Sequence, residues 1–222
     1  MAVKRIPLFP LGLVLLPGMV LPLHIFEERY KKMISECLAA NLPFGIVWFD
    51  GQAIRSMGCT ARIIRVLHRY EDGRMDILTR GERRFFTEGT VEEKPYMEAD
   101  VLFVGDAESE PDSTAFGKAR ALLVQLQEAG HLTEEIDASD LVDARRLSFA
   151  IPAIEGFTHA ERQRFLEMTS SAERLQKGVE SLVRILERVQ VTQQIHAIIG
   201  GNGHPPKESL RKLAVENDPS DK

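Results

Sequence analysis

Ile6-Pro7-Leu8-Phe9-Pro10-Leu11, followed by Leu16-Pro17-Gly18-Met19-Val20-Leu21-Pro22-Leu23-His24-Ile25-Phe26-Glu27, is the stretch on which the reading of this chain turns. From Ile6 to Phe26 it is almost wholly apolar, and Lys4 and Arg5 precede it, which gives it the outline of a secretory leader. Pro7, Pro10, Pro17 and Pro22 argue otherwise, together with Gly12 and Gly18. Each proline removes a backbone donor and clashes with the preceding turn, so a helix cannot run through such a density of breakers. No small-residue cleavage site follows, and a membrane span would need an uninterrupted apolar helix. The stretch therefore reads as short buried strands, Ile6–Phe9 and Val20–Leu23, joined around a Pro17-Gly18 turn. A cytoplasmic location is the expectation.

Immediately downstream the period changes from two to about 3.6. Phe26, Tyr30, Met33, Ile34, Cys37 and Leu38 recur at intervals of three and four, which places them on one face of an amphipathic helix that Pro43 ends. Phe44–Phe49 is an apolar run between Pro43 and Asp50-Gly51, as expected of a buried strand. Thr60–Tyr70 and Arg74–Thr79 flank Glu71-Asp72-Gly73. An Asp-Gly pair between two β-type runs marks a hairpin, because those residues tolerate the positive φ of a tight turn. Arg84–Thr90 and Tyr96–Val104 bring the set to about six strands.

Beyond residue 105 the texture becomes helical. Pro111-Asp112-Ser113 opens a run with Ala115, Ala119, Leu122, Leu123 and Leu126 at helical spacing, and a second helix is expected from Ala138 to Phe149, ahead of Pro152. Thr158 with Glu161, and Ser170 with Glu173, have the spacing of capping boxes. Leu175, Val179, Leu182, Val183 and Leu186 line the longest helix, which Gly200-Gly201 closes. The expected division is 1–105 for a β-domain, 106–199 for a helical bundle and 200–222 for a disordered tail.

The 222 residues are enough to bury a core without disulfide or metal staples. An apolar share of 44%, a charged share of 27% and a net charge of -5 fit a soluble globular chain and argue against wholesale nucleic-acid binding. Cys37 and Cys59 sit in no metal or redox spacing and read as reduced thiols of a cytosolic protein.

The opening stretch, with Arg29-Tyr30 after it, resembles the start of the N-terminal domain of Lon-type proteases. Three later blocks follow in the same order. These are Asp72-Gly73-Arg74 through Gly81-Glu82-Arg83-Arg84-Phe85, then Pro95-Tyr96-Met97-Glu98-Ala99, then Gln163-Arg164-Phe165-Leu166-Glu167 with Glu173-Arg174-Leu175. The resemblance covers residues 5 to about 195. It implies an α+β fold, a PUA-like β-barrel or curled antiparallel sheet with one inserted helix, followed by a C-terminal helical bundle. It also implies a non-catalytic, free-standing module that recognises unfolded or tagged polypeptides, with a separate protease or chaperone as a further partner. No membrane partner is expected.

Nothing in the residues adds chemistry to that reading. The glycine cluster Gly200-Gly201-Asn202-Gly203 lacks the lysine of a phosphate-binding loop and precedes no helix. His24, His68, His131, His159, His196 and His204 are scattered, with no pair at metal-ligand spacing. Glu27 and Glu28 suit a first helical turn, where the helix dipole favours carboxylates. No catalytic residue, cofactor or metal ligand is therefore expected. Met19, Val20, Trp48 and Met97 are the candidates for an apolar groove between sheet and bundle, each weighed against an ordinary place in the core. The alternative function is RNA binding through an arginine-rich sheet face, with Arg62, Arg65, Arg80, Arg83 and Arg84 as its residues. A solvated face whose arginines pair with acids of the helical region is the plainer account of that run.

Overall fold

The computed structural model describes residues 3–107, 112–130, 132 and 139–200, with side chains to 195. Most of the expected tail, from residue 201 on, lies outside the described residues. The first strand, β1 (Lys4–Leu11), is followed by β2 (Val20–Ile25) and the helix α1 (Glu28–Ala40). Then come β3 (Phe44–Phe49), β4 (Ile54–Arg69), β5 (Met75–Val91) and β6 (Glu98–Val104). The helices α2 (Ser113–Glu128), α3 (Ala144–Ala150), α4 (His159–Glu167) and α5 (Ser171–Gly200) follow, with a short 3-10 turn at Ile151–Ala153.

The strands form one sheet in the order β2-β5-β4-β3-β1-β6, and it curls until β5 also pairs with β6. Strand β2 pairs only with β5, so the result is a curled sheet rather than a barrel closed on every strand. Five of the described strand pairings are antiparallel, but β1 and β3 run parallel, with Leu8 beside Gly45 and Leu11 beside Trp48. The curled, mainly antiparallel sheet is thus mixed at that pair. Parallel neighbours need a crossover connection, and β2 with α1 supplies it.

The 17 residues of β5 replace two expected strands. Residues Met75 to Arg80 pair β2, and Arg84 to Val91 pair β6, while β4 runs along the opposite edge. The alternation on the sheet follows from its two covered faces. Ile6, Leu8, Val47, Phe85 and Val101 point into the curl, where the Phe85 ring fills the room left by Gly45 and Gly58. Phe9, Ile46, Cys59 and Ala61 face the other way, against α1.

Helix α1 buries Tyr30, Met33, Ile34 and Cys37, the spacing read in the sequence. Tyr30 stacks on Phe9 at 4.0 Å between ring centroids. Phe26 is not part of that face; it precedes the helix and is 59% exposed. The end of α1 is Asn41, which takes the left-handed conformation at φ 51 and donates its N–H to the carbonyls of Cys37 and Leu38. Pro43 follows rather than performs the termination.

The helices bury a second core, built on Ala119, Leu123, Leu147, Ile151, Phe165, Leu175 and Leu182. Phe149 and Leu166 reach instead into the sheet's core, so the two parts share an apolar contact. Helix α3 starts six residues later than expected, because Asp143 accepts from the Arg146 N–H and caps it there. The capping box at α4 forms in full. Thr158 Oγ1 accepts from the Glu161 N–H at 3.2 Å, and the Glu161 carboxylate accepts from the Thr158 N–H at 2.9 Å. Thr158→Ala should cost about 1 kcal/mol in urea melts, since one orphan donor of the first turn loses its partner. An unchanged midpoint would show that the box contributes nothing.

Candidate binding cleft

A cleft of about 850 Å3 separates the sheet from the helices. One wall is Pro17-Gly18-Met19-Val20 with the middle of β5, Arg80 to Arg84; the other is α3, the 3-10 turn and the start of α4. Val104-Gly105-Asp106, leading out of β6, lies between them.

The first wall depends on a glycine. Gly81 N–H donates to the Met19 carbonyl at 2.9 Å, and Gly18 N–H donates to the Gly81 carbonyl at 2.9 Å. The Leu16 carbonyl oxygen lies 2.1 Å from where a Cβ on residue 81 would stand. Only a residue without Cβ lets the β1–β2 connection lie down on β5, and this holds Met19 and Val20 at the cleft.

The second wall is tied to the first by a buried charge cluster. Asp106, 3% exposed at its side chain, accepts from Arg84 of β5 at 2.6 Å and from Arg174 of α5 at 2.5 and 2.7 Å. Arg145 of α3 approaches the same carboxylate at 3.3 Å from a mostly exposed position. Arg174 is fully buried. It also donates to Ser148 Oγ at 3.0 Å and the Met168 carbonyl at 2.8 Å, and its guanidinium lies 3.9 Å from the Phe149 ring centroid. Arg84 donates to the carbonyls of Leu166 and Met168 as well. Burial lowers the Arg84 pKa and the Asp106 carboxylate opposes that, while Arg174 lowers it further. Two desolvated guanidiniums around one carboxylate, with carbonyls and the Ser148 hydroxyl accepting further donors, make a cluster that joins β5, the β6 exit and α5.

Arg162 of α4 has a similar role on a smaller scale. Its guanidinium donates to the carbonyls of Pro152, Ala153 and Ile154 at 3.0 to 3.3 Å, and burial lowers its pKa. Arg80, Arg83 and Arg146 differ. All three are exposed at the cleft, and among the described residues none pairs with a carboxylate.

The structure divides the sequence candidates. Met19 and Val20 stand together on the cleft wall. Trp48 is half-buried under Arg55 and near His159 of α4, and Met97 packs on the cluster around Ile6 and Leu8; neither lines the cleft. Among the arginines, Arg80, Arg83 and Arg84 border it, but Arg84 is consumed by Asp106. Arg62 pairs with Glu82, and Arg65 is exposed on β4. The ion pairs of this run go mainly to neighbouring β-region acids, as in Arg55–Asp50 and Arg74–Asp72, rather than to the helical region. Sequence reading missed Asp106, Ser148 and the part played by Arg174.

Among the described residues no group of three or more His, Cys, Asp or Glu side chains could hold a metal ion. Burial pushes the Cys37 thiol up to about 11 and raises that of Cys59 further, so neither is poised as a thiolate. No described helix is long and apolar enough to cross a membrane.

Residues 5–184 match the family model of the ATP-dependent protease La (LON) substrate-binding domain. The chain belongs to the Lon substrate-binding domain family. The matched domain is a non-catalytic one, distinct from the ATPase and peptidase regions of the proteases. Among curated relatives, Lon protease of Cytophaga hutchinsonii is 23% identical over 210 residues, which cover 86% of this chain and 25% of that protein. Lon protease of Roseiflexus castenholzii is 27% identical over 193 residues, covering 81% and 24% respectively. The chain thus spans about a quarter of the length of the Lon proteases it matches. Two solved structures share the Lon-domain fold. The Lon N-terminal domain protein from Xanthomonas campestris has a TM-score of 0.64 at 23% identity, over 78% of this chain and 96% of that one. The N-terminal domain of Mycobacterium avium complex Lon protease has the same TM-score at 21% identity, over 81% and 98%.

Proposed function

We propose that this Lon-family domain is a substrate-recognition module that holds an extended polypeptide in the cleft between sheet and helices. The observation that carries the reading is the cleft itself. Its apolar wall segments, Pro17, Met19, Val20, Ala150 and Ile154, can cover exposed apolar side chains of an unfolded chain without demanding a fixed sequence. Its two walls belong to the two parts of the fold that Asp106 joins, so the groove is preformed and costs little ordering on binding. We place its work in the cytosol, alongside a protease or chaperone that receives the captured chain, with the β-domain ending near residue 105.

Ala150→Trp tests the reading by filling the cleft from α3. Fluorescence anisotropy with a labelled, permanently unfolded polypeptide should show binding by the native protein and a loss of about tenfold or more in the variant. Urea melts of both proteins keep the comparison honest. Equal affinities in two equally stable proteins would place the binding surface elsewhere, and no binding by the native protein would remove the function.

A further inference from the structure

Among the described residues the charges at the cleft do not balance, and the imbalance bears on what enters it. Asp106 is held by Arg84, Arg174 and Arg145, Glu82 is held by Arg62, and Asp140 and Glu155 each carry an interaction of their own. Three arginines on the same walls, Arg80, Arg83 and Arg146, have no carboxylate partner among the described residues. The Arg83 guanidinium carbon lies 3.9 Å from the Phe103 ring centroid, a cation–π contact that helps to hold an otherwise exposed side chain in place. Arg80 stands beside Val20 in the β2–β5 register, so one cation and one exposed apolar side chain are presented together.

We infer that the cleft selects polypeptide segments in which carboxylate side chains flank apolar ones, and that Arg80, Arg83 and Arg146 meet those carboxylates. This rests on the polypeptide-binding reading above and adds the substrate class. Guanidinium forks pair with carboxylates in a bidentate way, and a basic segment would leave the same three cations repelled and unpaired. Nucleic acid fits the charge less well. Phe149 is the one aromatic residue on these walls; it is 5% exposed and covered by the guanidiniums of Arg174 and Arg84, so the described walls offer bases no ring to stack on.

The test uses the full chain and four labelled probes of equal length in anisotropy. Three are unstructured peptides sharing the same apolar residues and carrying Asp and Glu, Asn and Gln, or Lys between them; the fourth is a single-stranded RNA. The acidic peptide should bind about tenfold more tightly than the neutral one, with a gap that narrows as salt rises. Replacing Arg80, Arg83 and Arg146 together by Gln should abolish the gap, and replacing them by Glu should turn the preference to the Lys peptide. All three side chains are exposed, and thermal melts check that both variants remain folded. Binding of acidic and neutral peptides with equal affinity overturns this inference and leaves the polypeptide reading standing. RNA bound more tightly than any peptide overturns the choice of ligand class. No binding of any peptide removes the polypeptide reading and this one with it.

Discussion

Asp106→Ala should lower stability by about 3–5 kcal/mol, the usual cost of leaving buried charge unpaired, and should bring the melting temperature down by about 10 °C in a domain of this size. The carboxylate accepts from two guanidiniums that are almost without solvent, Arg84 at 3% and Arg174 at 0% side-chain exposure. Removing it leaves both cations desolvated and facing each other. The penalty is therefore the stranding of two charges, which exceeds the net worth of the pairs themselves. A double variant separates those quantities. Asp106→Ala combined with Arg174→Met should cost clearly less than the sum of the two single changes, because a charge leaves with its partner. The same loss should loosen the cleft, since the cluster ties β5 to α5 across it. Urea denaturation of the four proteins checks the cycle. A single-variant cost below about 1 kcal/mol would mean that water reaches the cluster and that it does not join the two parts.

Gly81→Ala is expected to have the second large effect, about 3 kcal/mol, at the upper end for forcing extra volume into a packed site. The added methyl would stand 2.1 Å from the Leu16 carbonyl oxygen and 3.0 Å from its carbon. Those atoms are backbone, so relief requires moving the β1–β2 connection rather than turning a side chain. Met19 and Val20 would move with it, and polypeptide affinity should fall together with stability. Gly89→Ala on the same strand is the comparison, because nothing lies within 4 Å of its Cβ position. That change should be neutral or slightly stabilising, since it removes freedom from the unfolded chain. Similar losses for both would assign the effect to strand propensity and not to the contact with Leu16.

Local chemistry was legible in the residues. The prolines of the opening stretch excluded a helix, Asp72-Gly73 placed the hairpin, and Thr158 with Glu161 placed the start of α4. What depended on partners was not. The length of β5 was hidden because Arg80, Glu82 and Arg83 look like a polar break, whereas the strand there exchanges β2 for β6 and leaves those side chains exposed. The parallel pairing of β1 with β3 has no local mark, since parallel and antiparallel neighbours draw on the same residue types. Arg84 and Arg174 both stood in blocks that carried the family resemblance. Nothing in their spacing discloses that they meet at Asp106, 22 and 68 positions away. The groove was expected between sheet and helices, and Met19 and Val20 lie on it. Trp48 and Met97 do not, because an apolar residue in a strand gives no sign of which side of the sheet will be covered.

The position of β1 also sets an order of events while the chain is being made. Its residues Lys4 to Pro7 pair with Glu98 to Val101, so the first strand of the described sheet to be made waits for the last. At roughly 5–20 residues per second, that interval lasts about 5–20 s. Through it the apolar opening segment has one flank uncovered, and Asp106 emerges well before Arg174 can reach it. The newborn sheet is thus open to strand-seeking neighbours, or to a chaperone, until the helices have followed it out.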